Sequence, residues 1–374
     1  MPFAQSMKNI VLLTGSSHLK LAQRISESLG VELSLCKLGK FSNQETSVEI
    51  KASVREKHVY IIQSGCGRVN DNLIELLILI QACRMGSAKR ITVVTPLFPY
   101  SRQSEKSQKK RLPQHQIGSE IMSSLAQASG ETSSHQSLPQ GAFAQSFMGM
   151  SVAEGGYRQW CARAGTLVAN LLQAAGTDHL IAMDLHDPQY QGFFQIPVDL
   201  IYAEPCIIQW IRSEIPNWRQ AVVVSPDAGG AKRATSICNR LNLDFALIHK
   251  EDVGSTKESM GLVGEVGGRP AIILDDMIDS GSTIGLASEI LKRHGATEIY
   301  AIAVHGVFSG PALEIISRSP VTTVACTNTV PQEEFRNQCS KLRTIDIAPM
   351  LAEIIRRTFY GESVTQLFVH DDQL

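Results

Sequence analysis

Nine consecutive residues in the last third of the chain, Asp275-Asp276-Met277-Ile278-Asp279-Ser280-Gly281-Ser282-Thr283, gather three carboxylates, three hydroxyls and a glycine directly after the apolar run 271–274. The run reads as a buried strand of a parallel sheet, and residues 284–291 are apolar at helical spacing. The loop 279–283 therefore opens a helix whose free N–H groups point into it. With Gly281 permitting a tight turn and Ser280, Ser282 and Thr283 supplying hydroxyls, such a terminus is suited to holding a phosphate. Asp275 and Asp276 at the strand end would repel that anion unless they bind sugar hydroxyls or a hard cation such as Mg²⁺. The expected ligand is phosphorylated and polyhydroxylated. The plainer alternative is a solvated strand end followed by an ordinary Ser/Gly turn.

The elements that must position this loop occur twice. Residues 9–14 form an apolar strand running into Gly15-Ser16-Ser17-His18, with helical spacing through Leu29 and a stop at Gly30. Residues 59–62 read as a buried strand ending at Gln63-Ser64-Gly65-Cys66-Gly67, residues 72–85 as an apolar helix closed by Gly86, and 91–95 as the next strand. The second half repeats this order. Strand 221–224 enters Ser225-Pro226-Asp227-Ala228-Gly229-Gly230, a helix runs to Leu241 and a strand covers 245–249; strand 271–274, the acidic loop, a helix to Gly295 and strand 298–304 complete it. GSAKRITVV at 86 resembles GATEIYAIAV at 295, and VYIIQS at 59 resembles AIILDD at 271. Strands alternating with helices imply parallel sheets covered on both faces, with ligands at the carboxyl ends of strands. Gln63-Ser64 stand where the second copy has Asp275-Asp276, so sugar and metal chemistry is expected in the second copy alone.

At 374 residues, two domains of ordinary size are expected, and a hydrophobic fraction of 43% supports a sizeable core. The formal net charge is −1, and the four basic residues among positions 106–111 are too few for a nucleic-acid partner. Eight cysteines without a C-x-x-C spacing fit thiols in a reducing compartment. The first residues lack the apolar core of a secretory signal and no apolar run reaches the length of a membrane span, so a cytoplasmic protein with no membrane partner is expected. Residues 108–156 are rich in Ser, Gln and Gly and read as a flexible insertion. Helical patterning resumes near Tyr157 and runs to Gly176, and strand 179–183 ends in Asp184-Leu185-His186.

The stretches FSNQETSVEI at 41, QSGCGRVNDNLIELLILI at 63, FPYSRQ at 98, QGFFQIPVDLIYAEP at 191, VVSPDAGGAKRATSI at 223, ILDDMIDSGST at 273, HGVFSGPA at 305 and TNTVPQE at 327 resemble the ribose-phosphate pyrophosphokinase family. The resemblance spans nearly the whole chain outside the insertion, which itself resembles insertions in fungal subunits that work in mixed complexes. It implies an α/β fold of two tandem type I phosphoribosyltransferase-like domains, each a largely parallel sheet flanked by helices. The N-terminal one is expected at 7–165, containing the insertion, and the C-terminal one at 166–374, with its terminal helix against the N-terminal domain. The implied activity transfers the β,γ-diphosphoryl group of ATP to the C1 hydroxyl of ribose 5-phosphate, releasing AMP and supplying 5-phosphoribosyl 1-diphosphate (PRPP) for nucleotide biosynthesis. A homo-oligomer, or a hetero-oligomer with related subunits, is expected.

Carried over by position, the resemblance places ATP on Phe41, Asn43, Glu45, Arg102 and Gln103, where a ring can stack on adenine and a guanidinium can pair with phosphate. Ribose 5-phosphate falls on Asp275, Asp276, Asp279, Ser280, Gly281, Ser282 and Thr283, Mg²⁺ on His186 and Asp227, and the catalytic cation is Lys250. Ser53, Arg55, Ser363 and Thr365 match parts of a regulatory phosphate site.

Departures from the family pattern carry their own expectations. Asp252 stands where a cation is usual after Lys250-Glu251, with Lys257 nearby in the same loop; Ser282 replaces a glycine, and Ser104 and Pro188 also differ. Asp252 and Ser282, with the insertion, favour a weakly active or non-catalytic regulatory subunit of a hetero-oligomer as one alternative, whereas Lys257 could compensate for Asp252. A phosphoribosyltransferase that consumes PRPP is the other, disfavoured by the FSNQE and SRQ stretches.

Overall fold

The computed structural model describes residue 7 and residues 9–101, 164–251 and 259–369, with backbone alone for Lys250, Glu251, Ser259, Met260 and Val369. Arg102, Gln103, Ser104, Asp252, Lys257 and the expected insertion lie outside the described residues. In chain order the strands are β1 (Ile10–Thr14), β2 (Cys36–Lys40), β3 (Thr46–Ile50), β4 (His58–Ile62), β5 (Arg90–Thr95), β6 (His179–Met183), β7 (Val198–Ile201), β8 (Val222–Ser225), β9 (Asp244–Glu251), β10 (Ser259–Val263), β11 (Ala271–Ile278), β12 (Ile299–Gly306), β13 (Thr323–Thr327) and β14 (Leu342–Ile345). The helices are α1 (Leu19–Leu29), α2 (Val69–Met85), α3 (Ala164–Ala175), α4 (Glu204–Glu214), α5 (Ala231–Leu241), α6 (Ser282–Arg293), α7 (Ala312–Arg318), α8 (Glu333–Gln338), α9 (Ala348–Tyr360) and α10 (Gln366–Val369).

One sheet has the order β1-β4-β5-β6-β7, parallel throughout. The second has the order β10-β9-β8-β11-β12-β13-β14, parallel except for β10 against β9. The sequences β1-β4-β5-β6-β7 and β8-β11-β12-β13-β14 are the same order in two copies, as the repeat in the sequence requires. Strands β6 and β7 complete the first sheet, so the division between sheets falls after Ile201 rather than at the 165/166 boundary expected for the domains. The reason is pairing: Thr92 to Thr95 of β5 register with His179 to Ala182 of β6, and the hydrogen bonds of that edge are made only by the later strand.

Strand periodicity divides the core. In β4, Val59 and Ile61 face one way while Tyr60 and Ile62 face the other; in β11, Ala271 and Ile273 oppose Ile272 and Leu274. The outer faces build two separate cores, the first with Leu73, Leu76 and Ile80 of α2 and Leu172 of α3, the second with Ala287, Ile290 and Leu291 of α6. The inner faces of both sheets share one core, in which Leu12, Tyr60 and Ile62 of the first half join Val223, Ile272, Leu274 and Ile302 of the second. Burying each such large side chain stabilises by roughly 1.5–3 kcal/mol, so the halves hold each other in place. Helices α1, α4, α5 and α9 fill this space, and α9 lies along α1, where Arg24 of α1 pairs with Asp346 just before α9 at 2.7 Å. Helix α1 is capped by His18, whose Nδ1 accepts from the Leu21 N–H at 3.3 Å, and stops at Gly30 with φ +70°.

Candidate active site

The second copy of the strand–loop–helix unit forms as expected, with one correction. Strand β11 does not stop at Leu274 but continues through both acids to Ile278, because β12 runs beside it and pairs Asp275 with Ala303 and Met277 with His305. Asp275 and Asp276 are therefore strand residues at its carboxyl end. The loop that follows turns at Gly281, φ +76°, and α6 starts at Ser282. A side chain at 281 would be strained, and its Cβ would come within 3.1 Å of the Ala312 carbonyl oxygen. Ser280 Oγ donates to Ser282 Oγ at 3.2 Å, while Ser282 and Thr283 are exposed on the first turn of the helix. The hydroxyl-lined N-terminus that the sequence implies is open to an anion.

Asp276 reaches across to the first half. Its Oδ2 lies 2.5 Å from His186 Nδ1, in the loop after β6. Arg233, on the first turn of α5, stands between Asp276 Oδ1 at 3.8 Å and Asp184 Oδ1 at 3.7 Å. Burial alone would push the Asp276 carboxyl up, but the His186 contact and the Arg233 charge outweigh it and hold this carboxyl ionised, well below the ordinary range. Asp275 goes the other way: burial, the neighbouring Asp276 and the charge of Asp227 push it well above the ordinary carboxylate range, although its Oδ1 accepts the Asp276 N–H at 2.9 Å. A carboxyl in that condition ionises readily only when a cation or several hydroxyl donors face it.

Asp227 is exposed at the end of β8, in a tight turn where its Oδ1 accepts the Gly230 N–H at 2.8 Å and its carbonyl accepts from Ser225 Oγ at 2.7 Å. The expected metal residues His186 and Asp227 thus flank the paired acids from two strand ends. Among the described residues no group of three or more His, Cys, Asp and Glu side chains closes into a metal cage. Such an open, carboxylate-rich edge matches Mg²⁺, which keeps several waters and takes only one or two carboxylates with the rest from substrate phosphates.

Other expected residues lie elsewhere. Phe41, Asn43 and Glu45 occupy the tip of the β2–β3 hairpin, closed by Phe41 N–H to the Glu45 carbonyl at 2.9 Å and Glu45 N–H to Asn43 Oδ1 at 3.2 Å. The Phe41 ring is 57% exposed, so no described residue of its half packs it into a core. Lys250 lies in β9, paired with Met260 of β10. Ser53 and Arg55 are exposed between β3 and β4; Ser363 and Thr365 are exposed after α9, with the Ser363 carbonyl accepting from Arg357 at 2.9 Å.

Three participants were not singled out by sequence: Asp184, Arg233 and His305. Asp184 is 3% exposed with φ +42°, a left-handed conformation unusual for a residue with a side chain, and its Oδ2 accepts the Ala203 N–H at 2.7 Å. The signal was present in the stretches DLH, AKR and HGVFSGPA, but strand and helix periodicity do not say which member faces a neighbouring strand end.

The corresponding place in the first half is filled by its own side chains. Gln63 donates to Glu75 at 2.9 Å and to the Asn72 carbonyl at 3.0 Å, and accepts from Ser17 Oγ at 2.6 Å; Ser16 donates its N–H and hydroxyl to the same Glu75 oxygen at 2.6 and 2.9 Å. A carboxylate thus sits at this strand end, bonded to the loop that follows β1.

A family profile described as the N-terminal domain of ribose phosphate pyrophosphokinase matches residues 10–130, and one described as the phosphoribosyl synthetase-associated domain matches residues 251–369. The crystal structure of phosphoribosylpyrophosphate synthetase from Mycobacterium smegmatis is similar at 32% identity and TM-score 0.75, over 95% of this chain and 100% of that one. Shorter likenesses include a purine phosphoribosyltransferase from Pyrococcus horikoshii Ot3, at 20% identity over 27% of this chain and 78% of that one with TM-score 0.23. Another is orotate phosphoribosyltransferase from Aeropyrum pernix, at 18% identity over 37% of this chain and 69% of that one with TM-score 0.27.

Proposed function

The chain belongs to the ribose phosphate pyrophosphokinase family and is a ribose-phosphate diphosphokinase, and we propose that the acids of β11, with His186 and Asp227, form its substrate and metal site. The observation that carries this is the convergence of Asp275, Asp276, His186 and Asp227 at the carboxyl ends of three strands, directly beside the N-terminus of α6. In this reading the 5-phosphate of ribose rests on the N–H groups and hydroxyls of Ser280, Gly281, Ser282 and Thr283, and Asp279 closes the loop. Asp275 and Asp276 bind the sugar hydroxyls. Their opposed electrostatics suit that division: Asp276 is a fixed acceptor held by His186 and Arg233, and Asp275 gains its charge when donors or a cation arrive.

His186 and Asp227 would hold Mg²⁺, which when bound draws charge from the phosphoryl oxygens of ATP. The hairpin tip with Phe41, Asn43 and Glu45, together with Arg102 and Gln103, takes the nucleotide. The exposed aromatic ring supplies a face for the adenine. Lys250 delivers a positive charge to the transferred group, so that positioning and electrostatics carry the reaction.

The same reading places the protein in the cytoplasm as a homo-oligomer or a hetero-oligomer with related subunits, with Ser53, Arg55, Ser363 and Thr365 sensing phosphate. For the cytoplasm, support comes from the seven cysteines among the described residues, all free thiols.

The test is AMP and PRPP formation by the purified protein alone, with ATP, ribose 5-phosphate and Mg²⁺, beside Lys250→Ala and Asp252→Arg. Turnover that Lys250→Ala abolishes supports the assignment. Silence of the protein alone, with activity regained in Asp252→Arg or on adding a related subunit, would make this chain a partner subunit instead.

A further inference from the structure

His305, at the end of β12, is 2% exposed and bonded at both ring nitrogens. Nε2 lies 3.2 Å from the Asp184 carbonyl oxygen, which can only accept, so Nε2 carries the hydrogen. Nδ1 lies 3.0 Å from Thr329 Oγ1. Burial drives the His305 pKa down to about 4, the ring is neutral, and Nδ1 therefore accepts from the Thr329 hydroxyl, whose other acceptor, the Val304 carbonyl at 3.2 Å, already takes the Thr327 hydroxyl at 2.7 Å. One tautomer satisfies the site.

The two partners of this ring lie in equivalent loops of the internal repeat, one position out of step. Asp184 N–H donates to the Ile201 carbonyl at 2.9 Å and its Oδ2 accepts the Ala203 N–H at 2.7 Å, while Asn328 N–H donates to the Ile345 carbonyl at 3.0 Å and its Oδ1 accepts the Ile347 N–H at 2.9 Å. Asp184 therefore matches Asn328, and Thr329 is the next residue of that loop. The ring thus ties the loop after the fourth strand of one sheet to the same loop of the other. The Thr329 side is itself fixed, because its carbonyl accepts from Ser64 Oγ at 2.7 Å and its N–H donates to Thr327 Oγ1 at 3.3 Å. The Asp184 side is the one under conformational demand, being left-handed at φ +42° only two residues before His186. A hydrogen bond to its carbonyl fixes the peptide plane that leads into Leu185 and His186.

We propose that His305 is a positioning residue: anchored on Thr329, it holds the Asp184 backbone in its left-handed turn and so sets the direction from which His186 meets Asp276. It touches no substrate. Its work is to keep a loop of the first half in register with the acids of the second. The consequence for catalysis rests on the proposed reading of His186, whereas the structural coupling from His305 to His186 does not.

The experiment uses the full chain with His305→Leu, which removes both ring bonds, His305→Gln, which returns an N–H toward the Asp184 carbonyl, and Thr329→Val, which removes the anchoring hydroxyl. Imidazole NMR of His186 is recorded without substrate, and kcat and KM are measured separately. His305→Leu is expected to move the His186 resonances and lower kcat by about 10–100-fold with KM for ATP little changed. His305→Gln restores most of both, and Thr329→Val falls between. His186 resonances that stay at their wild-type positions in His305→Leu and Thr329→Val overturn the proposal, as does equal loss of kcat in the Leu and Gln variants. His186→Ala separates the two readings: full activity there removes the metal assignment, while the resonance shifts judge the coupling alone.

Discussion

Ser64 Oγ donates to the Thr329 carbonyl at 2.7 Å, both groups buried, and so joins the strand end of the first half to a loop of the second. Under the alignment of VYIIQS with AIILDD, Ser64 takes the place of Asp276, whose contact with His186 runs the opposite way, from second half to first. The same position in each repeat grips the other half, once through a neutral hydroxyl and once through a charged carboxylate. Only the charged version faces the proposed anion site. Asp276→Asn keeps the shape but loses the charge that His186 and Arg233 address. It is expected to lower AMP formation by about 10–100-fold. Ser64→Ala is expected to cost about 1 kcal/mol in denaturant unfolding through the lost hydrogen bond. A fully active Asp276→Asn enzyme would remove this acid from the site.

Gly281 is required by both backbone and space, since its φ of +76° disfavours any side chain and a Cβ would press on the Ala312 carbonyl at 3.1 Å. Gly281→Ala should cost about 1–2 kcal/mol locally. The distortion falls on the N–H groups proposed to hold the phosphate, so KM for ribose 5-phosphate should rise by about tenfold or more while KM for ATP holds. Equal changes in both constants would show that the loop serves both substrates.

Gln63 and Glu75 are buried and mutually bonded where the second half has Asp275 and Asp276, and Glu75 also takes the Ser16 N–H and hydroxyl. Removing the acceptor strands several buried donors at once. Glu75→Ala is therefore expected to destabilise by about 1–3 kcal/mol in denaturant unfolding. Retained ribose 5-phosphate affinity would confirm that the first strand end is structural, whereas a loss of that affinity at unchanged stability would contradict it.

The repeat, the strand order it implies and the acidic loop were legible because each rests on local pattern: apolar runs for strands 59–62 and 271–274, and helix stops at Gly86 and Gly295. The shared inner core could also be anticipated in kind, since Ile272 and Leu274 must face something apolar. What sequence did not disclose is which half owns the strand at 179–183. That strand follows the long interval after β5, and only the pairing of Thr92 with His179 assigns it to the first sheet. The same ambiguity hid Asp184 and His305. An acid and a histidine at strand ends look alike whether they face solvent, a ligand or the opposite half. The bond that joins them spans 121 positions, from His305 to Asp184.

The buried neutrality of His305 has a measurable pH signature. Its pKa falls from 6.5 in the unfolded chain to about 4 in the folded one, because burial penalises the charged ring. Between those values the unfolded chain binds a proton that the folded chain refuses. The contribution of His305 to stability is therefore complete above about pH 6.5 and is lost progressively as the pH falls toward 4. The shift corresponds to roughly 3 kcal/mol at most. His305→Gln has no ring to titrate, so the stability difference between wild type and variant, measured by urea unfolding, should shrink as the pH is lowered across this window. A difference that stays constant from pH 7 to pH 4 would mean that the ring is solvated or charged in the folded protein, contrary to its two fixed bonds to Asp184 and Thr329.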